Sequence, residues 1–352
     1  MQHSTPPSHG KYRRLQRLSD SDGRFSMLAV DQRGSLRRMF GRQHGIDPSE
    51  VSPAQLRQVK RIVTRAVAPM ASGLLTDPLY GYPASAGLLP PCTGVLLSRE
   101  QTGYVAAEGQ ERRSRLLADW APQRLLASGA DALKLLIYHH PDASAETHEH
   151  EQDLVASVGA GCEDAGLPFI LEVVTYPMGE GAQEAAVQAR RRPELVVDAA
   201  RTFSDPKYQV DVLKLEFPAD LKFVADYQDA SFGAGEAVYD RRAVEGACER
   251  LDQAAAVPWV ILSSGVGIDE FVETLRLANE AGASGFLCGR AVWKEIVEHA
   301  PDTDEMTRFM EEVGKPRVDR LLTANEGARA WTDHPGHRQQ ETQSGTKVPT
   351  TE

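Results

Sequence analysis

The sequence predicts an α/β fold, a single (β/α)8 barrel or TIM barrel, for three reasons. Eight short apolar runs alternate with longer helix-like segments along the chain. Each run is bounded by glycine, proline or polar residues, as is typical of strands covered on both faces. The first run is followed by Asp31-Gln32-Arg33-Gly34-Ser35 and not by a glycine-rich nucleotide fingerprint, which argues against a doubly wound dinucleotide fold.

The predicted strands share a short length and a mostly apolar composition. In chain order they cover residues 25–30, 73–76, 94–97, 132–138, 169–175, 210–217, 259–263 and 285–288. Segments between them have the amphipathic spacing of helices, as in residues 112–128, 148–165, 241–256 and 269–281. Three such segments end at a glycine directly before a strand, at Gly129, Gly166 and Gly282, which is the usual turn from helix to strand.

Both ends of the chain differ in composition from this core. A polar N-terminal extension is predicted over residues 1–20, the barrel over 21–333, and a disordered tail over 334–352. The tail is rich in Gln, Thr, Ser and Gly and cannot bury enough surface to order itself. The barrel is therefore expected to be the only domain.

Charge and cysteine content limit the partners. The net charge of −11 argues against nucleic acid or an anionic membrane surface as a partner. Four widely separated cysteines have no paired metal-ligand spacing and are typical of a reducing compartment. Neither a signal peptide nor a spanning apolar run is present, so we expect a cytoplasmic protein, and a homo-oligomer is compatible with the sequence.

The sixth predicted strand carries Lys214 and Glu216 inside an otherwise apolar run. Burial disfavours a charged ammonium, and an amine without its extra proton can attack a ketone and form a Schiff base. A lone lysine in this setting more often extends its ammonium to solvent from an edge strand. The neighbouring strands decide between these two interpretations.

Charged residues recur near the carboxyl ends of other strands, where barrel active sites lie. Asp31 closes the first strand, Lys134 lies in the fourth and Glu172 in the fifth. Because strands four to six are consecutive, inward-pointing Lys134, Glu172 and Lys214 would be neighbours. Buried charges need partners, so this group predicts either a structural ion network or an active site with a neutral amine. Strand spacing alone does not decide which lysine attacks.

Glu172 is the candidate acid–base group beside these lysines. We expect its apolar neighbours Leu171 and Val173 to raise the pKa of its carboxyl group. A carboxylic acid here can protonate the departing hydroxyl of a carbinolamine and, as carboxylate, take a proton during carbon–carbon cleavage. Glu172 is therefore predicted to shuttle both protons.

The turns after strands seven and eight predict an anion site. In this fold those two loops often hold a phosphate. The candidates are two serines, two glycines whose backbone an anion can approach closely, and an arginine with a planar fork of donors: Ser263, Ser264, Gly265, Gly289 and Arg290. The alternative is a tight turn beside a surface charge.

The histidines do not suggest a metal. Four of the ten, His139, His140, His148 and His150, lie in what is predicted to be a solvated loop and helix start after strand four. They form no His-Glu-x-x-His motif, which disfavours a zinc-dependent mechanism, and no cofactor is expected.

Seven stretches, spread in order from about Tyr12 to Trp331, resemble the class I tagatose 1,6-bisphosphate aldolase family, which also contains the sulfofructosephosphate aldolases. They are residues 27–36 (MLAVDQRGSL), 76–81 (TDPLYG), 129–136 (GADALKLL), 169–172 (FILE), 211–216 (DVLKLE), 262–266 (LSSGV) and 281–291 (AGASGFLCGRA). The resemblance covers nearly the whole predicted barrel.

This resemblance implies roles that spacing leaves open. Lys214 matches the Schiff-base lysine, Glu172 the acid–base glutamate, and Lys134 a further active-site lysine. Asp31 and Gln32 match positions that contact substrate. The anion-binding turns of the family match at Ser263, Gly265, Gly289 and Arg290.

Three functions follow as alternatives. The favoured one is cleavage of tagatose 1,6-bisphosphate to dihydroxyacetone phosphate and glyceraldehyde 3-phosphate; with a sulfofructose phosphate the second product is sulfolactaldehyde. A catalytically weak sugar-phosphate sensor would lack the lysine or the glutamate, and both are present. A phosphate-binding isomerase would work without a covalent adduct. The partner in each case is a small sugar phosphate or sulfosugar phosphate.

Overall fold

The predicted TIM barrel is confirmed. The computed structural model describes residues 8–179, 181 and 184–337. Parallel strands close into one barrel in which each pairs with the next along the chain and the last pairs with the first. All eight predicted strands form: β1 Phe25–Ala29, β2 Gly73–Thr76, β3 Gly94–Ser98, β4 Ala132–His139, β5 Phe169–Thr175, β6 Val212–Leu215, β7 Trp259–Ile261 and β8 Gly285–Cys288.

Helices surround the barrel and connect its strands. In chain order the α-helices of the described residues are α1 His9–Leu18, α2 Gly34–His44, α3 Pro53–Val67, α4 Gly81–Ser85, α5 Pro122–Ala127, α6 Ala145–Ala165, α7 Ala185–Phe203, α8 Arg241–Ala254, α9 Ile268–Ala281, α10 Arg290–Trp293, α11 Thr303–Phe309 and α12 Lys315–Ala324. Gly129, Gly166 and Gly282 have φ angles of +94°, +63° and +119°, so the predicted glycine turns are confirmed. None of the described helices is both long and apolar enough to cross a membrane.

The predicted helix over residues 112–128 is wrong in its first half. Arg112–Arg113 pairs antiparallel with Val105–Ala106 in a two-stranded ribbon, and the helix α5 begins only at Pro122. Proline fits the first turn of a helix because its missing N–H has no partner there. The apolar spacing across this segment is therefore divided between a ribbon, a turn and a short helix.

The barrel interior changes from apolar to charged along the strand direction. Because side chains alternate between the two faces of a strand, one residue in two points inward. Nearest the amino ends of the strands the inward residues are apolar and buried, namely Met27, Leu96, Ile170, Val212 and Val260. Lys134, Glu172 and Lys214 each lie two or more residues further along, so the charged layer rests on a closed apolar floor.

The amino end of the barrel is covered by the N-terminal helix. Leu15 and Leu18 of α1 join the apolar floor together with Trp331. The polar N-terminal extension predicted over residues 1–20 contains a helix at residues 9–18, and the apolar face of this helix is buried against the barrel.

Part of the tail predicted over 334–352 is also ordered, since His334 and His337 are buried; residues 338–352 lie outside the described part.

Candidate active site

A cavity of about 460 Å³ opens at the carboxyl ends of the strands. This is the end of a TIM barrel where active sites form. Predicted site residues from six strands or their following turns line it together with a further carboxylate: Asp31, Gln32, Glu100, Lys134, Glu172, Lys214, Ser264 and Arg290. The structure therefore brings both lysines and both predicted carboxylates to one place.

Lys134 lies at the centre of the charged layer. Its Nζ atom is 3.0 Å from Asp31 Oδ2, 2.9 Å from Glu100 Oε1 and 2.7 Å from Glu172 Oε2. The side chain is buried, and an ammonium has three hydrogens to donate. Three carboxylates therefore use the whole donor capacity of Lys134.

Lys214 shares only one of these carboxylates. Its Nζ atom lies 2.9 Å from Glu172 Oε2, the same oxygen that Lys134 contacts. Backbone pairing places Glu172 opposite Lys214 across β5 and β6, and opposite Leu136 across β4 and β5. Among the described residues Lys214 has no second carboxylate within 4.0 Å, so its amine is the less constrained of the two.

The electrostatics differ from the sequence prediction at Glu172. Burial by itself raises the pKa of a carboxyl group, but Lys134 and Lys214 attract its charged form, and together they lower the pKa of Glu172. The prediction of a raised pKa is therefore wrong. Leu171 and Val173 flank Glu172 in sequence, but their side chains point to the outer face of the strand, where they belong to the apolar core that surrounds the barrel. They do not face the cavity.

Two other members of the network are held in their charged forms. Burial by itself lowers the pKa of Lys134, but the attraction of Asp31, Glu100 and Glu172 outweighs it and raises that pKa well above its usual value. Burial likewise opposes ionisation of Asp31, yet Lys134 and Lys214 hold the pKa of this carboxyl below its usual range. Lys134 is thus a fixed cation in this arrangement.

Glu100 belongs to the site although sequence reasoning did not single it out. Its Oε1 contacts Lys134, and its Oε2 accepts a hydrogen bond from the Leu136 N–H at 3.2 Å. Arg33 donates to the Glu100 carbonyl oxygen at 2.6 Å. A signal was available, because Glu100 follows β3 at the same end of the barrel as the other charged residues.

The turn after β7 has an unusual backbone at the predicted anion site. Ser264 and Gly265 have φ angles of +46° and +83°, a region that a residue with a side chain rarely adopts. Lys294 fixes the turn by donating to the carbonyl oxygens of Gly265 and Val266 at 2.9 and 3.3 Å. Ser264 lines the cavity, while the adjacent Ser263 is buried.

The turn after β8 lies close to the end of β1. A Cβ atom at Gly289 would come within 2.3 Å of the Ala29 carbonyl oxygen, so only glycine fits there. Arg290 follows and lines the cavity, with its guanidinium beside Gly265. Gln32 also lines the cavity, and its Oε1 is buried without a hydrogen-bond partner in the described part of the chain.

Glu216 completes the carboxyl end of β6. Its Oε2 accepts hydrogen bonds from the Thr175 N–H at 2.8 Å and the Thr175 hydroxyl at 2.6 Å. Its Oε1 lies 3.4 Å from Arg192 of α7. Glu216 therefore ties the ends of β5 and β6 together beside the cavity.

The histidines after β4 are not in a solvated loop. His139 is the last residue of β4, and His139 and His140 are both buried. His139 pairs with Asp198 at 2.8 Å, which explains how a polar ring is accommodated there. No group of three or more His, Cys, Asp or Glu side chains within residues 8–179, 181 and 184–337 is placed to hold a metal ion.

Comparison with known proteins identifies relatives along most of the chain. Residues 25–295 match the model of the DeoC/LacD family of aldolases. A tagatose 1,6-diphosphate aldolase of Staphylococcus aureus is 37% identical over 83% of this chain and 87% of its own. Two proteins of the same name are also similar to this chain. The one from Lactococcus lactis is 34% identical over 92% of this chain and 98% of its own, and the one from Streptococcus agalactiae serotype V is 33% identical over 88% of this chain and 94% of its own.

Among solved structures, a fructose-bisphosphate aldolase from Plasmodium falciparum, in complex with TRAP and an inhibitor, has a similar fold. The TM-score is 0.65 over 92% of this chain and 97% of that chain, at 14% identity. At so low an identity the likeness supports the barrel fold alone.

Proposed function

Because the chain belongs to the DeoC/LacD family of aldolases, we propose that it is a class I aldolase that cleaves a six-carbon ketose phosphate between C3 and C4. The observation that carries the proposal is the contact of Lys214 with Glu172 inside the cavity, beside a second lysine that three carboxylates hold charged. The names of the relatives favour tagatose 1,6-bisphosphate as substrate. The products would be dihydroxyacetone phosphate and glyceraldehyde 3-phosphate.

In this proposal Lys214 is the nucleophile. Its neutral amine attacks the C2 carbonyl carbon, the carbonyl oxygen becomes a hydroxyl, and loss of water leaves a protonated imine. Lys134 is unsuited to this role, because Asp31, Glu100 and Glu172 stabilise its ammonium form. The contrast between one carboxylate partner and three supports the choice of Lys214 that the family resemblance implies.

Glu172 moves the protons. Its lowered pKa means that it enters the reaction as a carboxylate, which can take the ammonium proton of Lys214 and release the amine. The resulting carboxylic acid returns that proton to the carbinolamine hydroxyl as water departs. Glu172 then accepts the C4 hydroxyl proton while the C3–C4 bond breaks, and the bonding electrons pass into the imine to give an enamine.

The second half of the reaction reverses these transfers. The aldehyde leaves, C3 of the enamine takes up a proton, and water hydrolyses the imine to release dihydroxyacetone phosphate and Lys214. Lys134 positions Glu172 through their 2.7 Å contact and supplies a fixed positive charge. Asp31 holds Lys134 from the opposite side and reaches the cavity, where it can orient a substrate hydroxyl.

The phosphate nearer the ketone is assigned to the turns after β7 and β8. Ser263, Ser264 and Gly265 form the first turn, and Gly289 and Arg290 form the second, with the Gln32 side chain at the cavity wall between β1 and β8. Arg290 can donate two parallel hydrogen bonds to a tetrahedral oxyanion. This is the fold position where barrels often hold a phosphate.

Side-by-side kinetics test the proposal. Cleavage of tagatose 1,6-bisphosphate, fructose 1,6-bisphosphate and sulfofructose phosphate is followed by the release of dihydroxyacetone phosphate, with and without EDTA. We expect the highest kcat/KM for a bisphosphate and no loss of activity with EDTA, as metal-independent chemistry requires. Highest kcat/KM on the sulfosugar would reassign the substrate, and loss of turnover with EDTA would refute the mechanism.

A soluble phosphorylated substrate fits the cytoplasmic location predicted from the sequence.

A further inference from the structure

Arg112 lies in a cage of three aromatic rings. Its Cζ atom lies 4.6 Å from the ring centre of Tyr104, 5.0 Å from that of Tyr176 and 5.6 Å from that of Tyr138. Within the described part of the chain its side chain has no hydrogen-bond partner and no carboxylate within 4.0 Å. Aromatic faces attract a guanidinium without neutralising it, so its charge stays available to an anion.

The cage borders the active-site cavity through two of its three rings. Tyr104 and Tyr138 both line that cavity. Tyr138 lies on β4, two residues beyond the row in which Leu136, Glu172 and Lys214 are paired. Two strand residues correspond to roughly 6.6 Å. A six-carbon ketose has four carbons beyond its C2 carbonyl. These carbons, together with the anionic group on C6, can span such a distance.

Arg112 is held in place by the ribbon that carries it. On one side of it, Glu111 accepts hydrogen bonds from the N–H and the hydroxyl of Ser144, both at 2.7 Å. On the other side, Arg113 pairs with Glu146 at 2.8 Å, and the Ser114 N–H donates to Glu151 at 2.5 Å. These contacts attach the ribbon to α6 and its N-terminus on both sides of Arg112. A fixed cation recognises an anion at a smaller entropic cost.

Three other arginines line the cavity, and their surroundings differ from those of Arg112. Arg33 donates to the carbonyl oxygen of Glu100 and lies 3.6 Å from its carboxylate. Arg290 lies beside the Gly265 turn, in the anion site assigned to the phosphate nearer the ketone. Arg38 lines the cavity but is exposed on α2, where solvent and salt screen its charge. Arg112 and Arg290 are thus the partly buried guanidinium groups at the cavity that have no carboxylate within 4.0 Å among the described residues, and Arg290 is already assigned to the phosphate nearer the ketone.

We infer that Arg112 is a specificity-determining residue that binds the tetrahedral oxyanion at the far end of the ketose phosphate, remote from the reacting ketone. The inference rests on the proposed aldolase function. The group recognised is a phosphate or a sulfonate, since both offer three oxygens to a guanidinium fork. Arg112 thereby selects a doubly anionic substrate over a ketose with a single phosphate at C1.

The test compares tagatose 1,6-bisphosphate with tagatose 1-phosphate, which lacks the far anion. For Arg112→Gln we expect kcat/KM on the bisphosphate to fall about 10- to 100-fold, mainly through KM, the effect of losing a charge-assisted hydrogen bond. On the monophosphate the change stays below about twofold on the same reasoning, because no contact is lost. Arg112→Lys should recover part of the bisphosphate activity, since it restores the charge without the planar fork.

Arg115→Gln is the matched control. It removes one positive charge three residues further along the same segment from an exposed side chain, and both substrates should be unaffected. Equal losses on both substrates in Arg112→Gln would mean that the cage only supports the ribbon. An unchanged preference, or a preference lost in Arg38→Gln instead, would also overturn the inference. Repeating the comparison with sulfofructose phosphate separates recognition of a phosphate from recognition of a sulfonate.

A labelling experiment separates the role of Arg112 from the proposed aldolase function. Borohydride reduction in the presence of dihydroxyacetone phosphate, which has no far anion, should label wild type and Arg112→Gln alike. If wild type is not labelled and cleaves neither ketose, the aldolase proposal itself fails. If wild type is labelled and cleaves both ketoses, and Arg112→Gln keeps the wild-type preference, only the role of Arg112 is refuted.

Discussion

Lys60 and Lys134 are both almost completely buried lysines paired with carboxylates, yet they lie in very different surroundings. Lys60, on α3, contacts the single carboxylate of Asp77 at 2.9 Å and also donates to the Val30 carbonyl oxygen. Neither member of this pair lines the active-site cavity. Lys134 contacts three carboxylates that do, and one of those carboxylates also contacts a second lysine.

The remaining partners of each carboxylate explain the difference. Asp77 accepts hydrogen bonds from the backbone N–H groups of Leu79, Tyr80 and Gly81, so its oxygens are fully used in holding the turn after β2. Among the described side chains, the carboxylate of Glu172 makes hydrogen bonds or ion pairs only with the two lysines, and it lines the cavity. A buried ion pair is therefore structural where backbone N–H groups occupy the remaining hydrogen-bonding positions of its carboxylate. It is suited to catalysis where those positions face a cavity.

The largest effect that tests this contrast is expected from Glu172→Gln. The amide keeps the size of the side chain but cannot accept and return a proton, so kcat should fall about 100- to 10,000-fold. Steady-state release of dihydroxyacetone phosphate measures it. Asp77→Asn is the matched control, with kcat per folded molecule unchanged. A near-normal kcat in Glu172→Gln would remove Glu172 from the mechanism.

The next largest effect is on stability, at the other lysine. Lys60→Met leaves Asp77 buried without its counterion, which should lower the free energy of unfolding by about 3–5 kcal/mol. Urea unfolding measures the change. The double variant Lys60→Met/Asp77→Asn should recover much of the loss, because no unpaired charge remains. Lost turnover at unchanged stability would contradict the structural role of this pair.

A smaller effect is expected from His334, at the amino end of the barrel. Burial lowers the pKa of His334 to about 4, whereas an unfolded histidine titrates near 6.5. The unfolded chain therefore binds a proton first, and stability falls as pH drops from about 6.5 to about 4, by up to about 3 kcal/mol from this residue.

The variant His334→Gln should flatten this part of the profile of unfolding free energy against pH. Burial raises the pKa of Glu151 and of Glu270 to about 7, so both carboxyls make the fold more stable as pH falls through the same window. The relevant quantity is therefore the difference between wild type and variant at each pH. If the profiles of wild type and His334→Gln run parallel, the pKa of His334 is not lowered in the folded chain.

The strands and three of the network residues could be predicted from the sequence. A period of two along β4, β5 and β6 places Lys134, Glu172 and Lys214 on inward faces, and neighbouring parallel strands bring them together. The same period explains the error at Glu172. Leu171 and Val173 point away from the cavity, so the lysines on the two adjacent strands determine the pKa of Glu172.

Other parts of the structure depend on contacts that no local pattern reveals. Glu100 follows β3 among other polar residues, and the Lys60–Asp77 pair joins a helix to a turn, so neither contact can be predicted from the period of a strand. The ribbon that carries Arg112 forms because Glu111 and Glu151 bind it to α6, although its sequence has helical spacing. In this ribbon tertiary contacts overrode the local preference for a helix.

Covalent trapping identifies which lysine forms the Schiff base. The protein is reduced with borohydride in the presence of dihydroxyacetone phosphate, digested, and mapped by mass spectrometry. We expect a single modified residue, Lys214, with Lys60 and Lys134 unmodified and no adduct in Lys214→Ala. Modification of Lys134 in wild type, or an adduct that persists in Lys214→Ala, would contradict this expectation.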